Sequence, residues 1–425
     1  MISYKNRMLQ LRIAQWLAEF QKHLPVLLAI YGNEALRSHP VWGKALPFEV
    51  LPYGKGKSIA HAIRLDVVLT EAGPICTEVD FVGAGAGVML HALPDTAKRA
   101  GELSPRVRFA NAYRNFFRTI LSGPYGIQRV LCGMPAIVDS KWGNDLADAQ
   151  LLVSTLAAMG VPIELLKLGS QIPANTPDAS VLYRLFYRYE VAEQDWNRAE
   201  VITKEPLYDS KVFAALIHDP DSENFLMNAL GMKTEEFFKS MLFLRSFLPK
   251  SCLLSTLQGK PVTLEGLAHS RQKYLLKNGD VEHPGSWGAR GVGMGLRFNY
   301  GQFREALFTG HLKGKDLGSS PIVQQYVPSV DFNTIWNLAA LGELMTARTD
   351  LGAAFVGEPE QPMFATNEPV HARISVFVFV NNPIHGNPKG AHRVTIVPHG
   401  LVTLRAGDPV VHGTGDAGWL PFEII

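Results

Sequence analysis

The chain has 425 residues, 47% of them hydrophobic and 19% charged, with a formal net charge of +2. That length implies two or three domains with substantial cores. The near-neutral balance gives no electrostatic basis for a nucleic-acid or anionic-membrane partner.

Three widely separated cysteines, Cys76, Cys132 and Cys252, show no CxxC spacing. This points to reduced thiols in a cytoplasmic protein rather than a disulfide framework or a zinc site. The apolar run Leu24 to Tyr31 is too short to cross a membrane, and the first residues lack the layout of a signal peptide. A cytoplasmic location is therefore expected.

Leu9, Leu11, Ile13, Trp16, Leu17 and Phe20 recur at roughly helical spacing and predict a helix over 7–37. Pro40 to Gly56 reads as a Pro/Gly-punctuated connection. Two alternating segments follow, Ala62 to Leu69 and Ile75 to Phe81, joined by Glu71-Ala72-Gly73 as a hairpin loop. Strand residues alternate faces, and this register sets Asp66 across from Glu78 and Arg64 across from Asp80. Cys76, Glu78 and Asp80 then share one face. Opposed carboxylates destabilise a sheet unless a cation lies between them. Asp66, Glu78 and Asp80 together suit a hard ion such as Mg²⁺; an ordinary half-exposed hairpin is the alternative.

Gly83 to Gly87 follows the second strand. A dinucleotide-binding turn needs a third small residue where Val88 stands, so the match fails there. The turn is the basis of a rival reading, an NAD(P)- or flavin-dependent oxidoreductase. Residues 106–122 read as a helix rich in Arg and Phe.

A second unit begins near Gly126. Gln128 to Leu131 and Pro135 to Val138 read as short strands, Ala149 to Met159 as a helix stopped by Gly160, and Val161 to Leu166 and Val181 to Arg188 as further strands. That order argues a small α/β layer with a mostly parallel sheet. Asp209 to Phe247 is helical in pattern. From about Pro249 a third unit offers strands at Tyr274–Lys277, Leu296–Phe298, Ile322–Val327, Ala372–Val380 and Arg393–Val397.

Several of these segments could bind a nucleotide. The long stretch from Gly279 to Gly295 contains Gly285, Gly288, Gly291, Gly293 and Gly295, whose backbone could approach phosphates, with Ser286 as a hydroxyl donor. Lys277 feeds that loop as a point charge. It is not a Walker A motif. The strand PIVQQYVP, Pro321 to Pro328, suits an adenine pocket, with an edge strand as the alternative. Arg373 opens the apolar strand ISVFVFV, where a guanidinium needs a phosphate or carboxylate partner. The histidines show no metal-ligand spacing, and no GxSxG elbow is present.

With these pieces assembled, the chain resembles the circularly permuted ATP-grasp proteins, the group of glutathionylspermidine synthetase-like ligases. That family carries R-x-D followed by E-x-N on its first strands. Here Arg64-x-Asp66 and Glu78-x-Asp80 match, with Asp80 where the family usually has Asn. The resemblance implies an α/β fold with mixed α+β character, in which a Rossmann-like segment interrupts a permuted ATP-grasp. Residues 1–105 would carry the N-terminal helix and metal-binding strands, 106–248 the preATP-grasp-like domain, and 249–425 the nucleotide-binding part.

It further implies an ATP- and Mg²⁺-dependent carboxylate–amine ligase working through an acyl-phosphate. Asp66, Glu78 and Asp80 would ligate Mg²⁺. Arg64 would hold the acceptor carboxylate or the transferred phosphoryl group, and Arg373 would stabilise phosphoryl transfer. Lys250, Lys277, Ser286, Gly288, Gly291, Gln324 and Val327 would bind the nucleotide. Substrates would be a small-molecule acid and amine, among them amino acids, small peptides or polyamines. A non-catalytic relative that keeps the fold as a binding module is the second alternative.

Overall fold

The computed structural model describes residues 4–424 apart from 47–58, 82–83, 96, 98–99, 125, 136–142, 169–179, 187–199, 203–209, 281–290, 332–368, 382–392 and 408–417. Helix α1 (Tyr4–Tyr31) opens the chain. Its buried residues Ile13, Leu17, Phe20, Leu24 and Leu27 recur every three or four positions, which lines them along one side of the helix. Strands β1 (Ala60–Thr70) and β2 (Gly73–Asp80) form the expected hairpin. Helix α2 (Ala86–Ala92) follows, then α3 (Pro105–Leu121). The start of α3 is set by Ser104, whose hydroxyl accepts from the amide of Val107, and by Pro105 in the first turn.

The next segment alternates strand and helix: β3 (Arg129–Pro135), α4 (Gly143–Ala158), β4 (Ile163–Leu168), β5 (Ser180–Arg184) and β6 (Glu200–Val201). The four strands pair in parallel in the order β4-β3-β5-β6, as the pattern predicted. The strand expected at Gln128 to Leu131 is found and runs on to Pro135; the one expected at Pro135 to Val138 lies, apart from Pro135, outside the described residues. The predicted helical stretch 209–247 is three helices, α5 (Val212–His218), α6 (Glu223–Leu230) and α7 (Thr234–Phe247). Pro220 and Gly231 divide them, and Gly231 adopts φ +61° at the end of α6.

Strands β7 (Ser251–Leu253), β8 (Tyr274–Lys277), β9 (Val292–Met294) and β10 (Ile322–Gln325) form an antiparallel sheet in the order β7-β10-β8-β9. Helices α8 (Pro261–His269) and α9 (Tyr300–Thr309) pack on it. The strand expected at Leu296–Phe298 is instead a 3₁₀ turn at Gly295–Arg297, directly after β9.

The chain ends in β11 (Val370–Asn381), β12 (Arg393–Ile396), β13 (His399–Ala406) and β14 (Gly418–Glu423). These four join the first hairpin in one antiparallel sheet of order β14-β13-β11-β1-β2, with β12 also on β11. The sequence pattern did not reveal β13 or β14. Pro421 argues against a strand, but β14 lies at the sheet edge, where a missing amide is tolerated.

This sheet is covered on both sides, which explains why β11 reads as an unbroken apolar run. Ile374, Val376 and Val378 face a core shared with α1, α5 and α7, while Phe377 and Phe379 face a second core with α2, α3 and the parallel sheet. No helix among the described residues is long and apolar enough to cross a membrane.

Candidate active site

The hairpin register places Arg64 opposite Asp80 and Asp66 opposite Glu78, so the side chains of both pairs share one face. Gly73 closes the loop at φ +134°, a conformation that side-chain-bearing residues rarely adopt. One residue further along the register shifts. Val67 pairs with Cys76, and Thr77 is left as the extra residue of a β-bulge.

The bulge corrects one expectation. Cys76 leaves the carboxylate face for the Val67 face and is wholly buried in the apolar core, where burial pushes its thiol well above the ordinary range. The bulge also frees the Thr77 carbonyl from the ladder. That carbonyl accepts a hydrogen bond from Nζ of Lys277 at 3.2 Å, and the Thr77 hydroxyl donates to the carbonyl of Asp66 at 3.1 Å.

Asp66 is the hub of the face and is fully buried. Its Oδ1 accepts from Arg64 Nε at 3.1 Å and from the Ser375 hydroxyl at 2.7 Å. Its Oδ2 accepts from Arg64 Nη2 at 3.3 Å and lies 3.1 Å from Arg373 Nη1. Arg64 continues to Asp80 Oδ2 at 2.6 Å and to the Ala84 carbonyl at 3.1 Å. Glu78 pairs with Lys211, Nζ to Oε1 2.9 Å. Burial disfavours its charged form, yet Lys211 and Lys277 hold the carboxyl down at about 2. Burial likewise pulls the Lys277 ammonium down to about 8, with Lys211 adding to the effect and Glu78 opposing it.

Three carboxylates, Asp66, Glu78 and Asp80, thus pair with three cations, Arg64, Arg373 and Lys211, and Lys277 stands beside them on the Thr77 carbonyl. The donor chemistry is all oxygen, which suits a hard divalent ion. As placed, however, each carboxylate is already paired with a cation of the chain. Among the described residues, no group of three or more His, Cys, Asp or Glu side chains is gathered to hold a metal.

A cleft of about 340 Å³ opens between the hairpin tip and the end of the β7-β10-β8-β9 sheet. Lys250 and Val327 line it, with Thr70, Ile75, Leu248 and Gln325. Gln324 is not among the lining residues. It is buried and donates its amide to the Ser251 hydroxyl at 3.0 Å, whereas its neighbour Gln325 lines the cleft. Gly291 is described, and its carbonyl accepts from the amide of Asn278. Ser286 and Gly288 lie outside the described residues. Gly293 and Gly295 answer to packing: an added Cβ would come within 2.1 Å of Leu312 Cδ2 and of the Arg271 carbonyl, respectively.

The turn before α2 has a different occupant from a dinucleotide. Asp148, reaching over from α4, accepts from the amides of Gly85 at 2.8 Å and Val88 at 2.7 Å. Burial raises its carboxyl despite those amides. The chain's own carboxylate therefore fills the position where a pyrophosphate would meet the helix start. Gly87 permits this approach, since a Cβ there would stand 1.9 Å from the Asp148 carbonyl oxygen.

Sequence reasoning missed Lys211, Ser375 and Asp148. Ser375 was legible in principle, two residues after Arg373 on the same strand face. Lys211 and Asp148 carry no local signal, because their partners are more than fifty residues away.

No family model and no curated protein matches this chain. Among solved structures, it is similar to a glutathione synthetase-like effector from Globodera pallida, determined in apo form. The TM-score is 0.51 at 11% identity, with 97% of this chain and 87% of that one covered. A candidate gamma-glutamylcysteine synthetase from Methylobacillus flagellatus matches with a TM-score of 0.38 at 9% identity, over 91% of this chain and 84% of that one. The likeness to the effector is one of fold, and that fold is a mixed α/β architecture.

Proposed function

We propose that this chain is an ATP- and Mg²⁺-dependent carboxylate–amine ligase built on a circularly permuted ATP-grasp arrangement. The observation that carries the reading is the convergence of Arg64, Asp66, Glu78 and Asp80 from the first hairpin with Arg373 from β11 and Lys277 from β8. These residues lie up to 309 positions apart yet share one ionic face. The pairing of the first hairpin with the last strands in one sheet supports the permuted order.

In this reading the substrate carboxylate oxygen bonds to the γ-phosphorus of ATP as the bond to ADP breaks. The amine then attacks the acyl carbon, and phosphate leaves with the transferred oxygen. Arg64 and Arg373, fixed by Asp66, would orient the reacting carboxylate and offset the charge that develops on the phosphoryl oxygens. Lys277 would meet phosphate as a fixed charge. Lys250 and Val327 would seat the nucleotide in the cleft they line. Mg²⁺, held by Asp66, Glu78 and Asp80 after exchange with their present partners, would supply neutralisation of the triphosphate. Amino acids, small peptides and polyamines fit as substrate classes.

Oxygen-18 in the substrate carboxylate tests the mechanism. Candidate acid and amine pairs are screened for ADP release, and the expected result is label in the released phosphate. Unlabelled phosphate, or AMP and pyrophosphate in place of ADP, would replace the acyl-phosphate with an adenylate. Nucleotide binding without turnover on any pair would favour the non-catalytic binding module.

A further inference from the structure

Lys277 is 8% exposed, and among the described residues its ammonium makes one hydrogen bond, to the Thr77 carbonyl. An ammonium has three donors, and a buried cation with most of them unfilled is costly unless another anion arrives. A second ammonium, Lys211, lies 2.9 Å from Oε1 of Glu78, the residue that follows Thr77. Lys211 and Glu78 are both near enough to act on the charge of Lys277, in opposite senses. Two ammonium groups thus gather where the ionic face adjoins the β8 strand, Lys211 on the Glu78 carboxylate and Lys277 on the neighbouring Thr77 carbonyl.

The geometry points to Lys211 as a phosphate-binding residue: with Lys277 it forms a two-ammonium seat whose Lys211 arm is ion-paired to Glu78. A phosphate group and a divalent cation enter by exchange, the phosphate to the lysines and the cation to Glu78. The identity of the phosphate as part of a nucleotide rests on the ligase reading; the seat itself does not. Because each ligand releases the other's partner, their binding is mutually favourable, and the coupling is reciprocal.

The exchange makes opposite predictions for two ligands in one variant. Affinities for inorganic tripolyphosphate in EDTA and for Mn²⁺ alone are measured by calorimetry and electron paramagnetic resonance on the full chain. K211M should weaken tripolyphosphate by about tenfold, the equivalent of one charged contact, and should tighten Mn²⁺ several-fold because its competitor for Glu78 is gone. E78Q should do the reverse, tightening tripolyphosphate and losing Mn²⁺. A purely structural role for Lys211 would weaken both ligands together, and that parallel loss overturns the proposal. So does unchanged tripolyphosphate affinity in E78Q. Should K211M fail to fold by circular dichroism, K211R must retain tripolyphosphate binding within about twofold, and E78Q stands as the independent arm. Wild-type chain that binds tripolyphosphate but not ATP removes the nucleotide reading and leaves the seat. ATP binding that K211M does not alter removes the seat alone.

Discussion

Arg373 Nη1 lies 3.1 Å from Oδ2 of Asp66, a carboxylate with no exposed surface, and the two residues belong to adjacent strands more than three hundred positions apart in the chain. Asp66 also anchors Arg64, so one buried anion orients two guanidinium groups. Removing one partner of a buried pair leaves an uncompensated charge. Asp66→Ala should therefore destabilise the fold by about 3–5 kcal/mol. Asp80→Ala should cost about 1–3 kcal/mol, because Arg64 keeps Asp66 and the Ala84 carbonyl. Urea unfolding of the two variants checks the order; equal losses would mean that Asp66 is not the hub.

The pH dependence of stability should show two distinct windows. Glu78 titrates lower in the folded chain than its ordinary value of 4.5, reaching about 2. Its contribution is complete above the ordinary value and disappears as pH falls from there towards 2. Lys277 is held at about 8 against an ordinary 10.5, so between those values the unfolded chain binds more protons and stability rises with pH. Denaturant midpoints followed across both windows should show an acid loss absent from Glu78→Gln and an alkaline gain absent from Lys277→Met. Phosphate binding should weaken as pH passes 8, where Lys277 gives up its proton.

The tight approach of α2 to α4 should be intolerant of any side chain at position 87. Gly87→Ala forces a Cβ against the Asp148 backbone, which cannot rotate away, and should cost about 1–3 kcal/mol or more. Nucleotide affinity should be unaffected, since this turn is occupied by Asp148. Guanidinium unfolding alongside ATP and NADH titrations decides it; lost NADH binding in the variant would revive the oxidoreductase reading.

The two glutamines of β10 should separate cleanly. Gln324→Ala removes a buried hydrogen bond to Ser251 and should lower stability by about 1–3 kcal/mol without changing which nucleotide binds. Gln325→Ala, on the cleft wall, should leave stability alone and weaken ATP by about tenfold. The reverse result would place the adenine contact on Gln324 instead.

Residue pattern alone determined much of this protein. The alternation of β1 and β2 and the short loop between them set Asp66 against Glu78 and Arg64 against Asp80. Strand, helix and glycine signals between Gly126 and Arg184 yielded the parallel layer. These features are local, because backbone geometry and turn chemistry act over a few residues. The tertiary structure decided the rest. A bulge at Thr77, which no residue there announces, buried Cys76 and turned a carbonyl towards Lys277. Only folding could bring Lys211 to Glu78, Ser375 and Arg373 to Asp66, and Asp148 to the turn before α2. Only folding could choose Gln325 over Gln324 for the cleft. Each of these depends on a partner distant in the chain, and ionic contacts, unlike strand alternation, leave no periodic trace in the sequence that makes them.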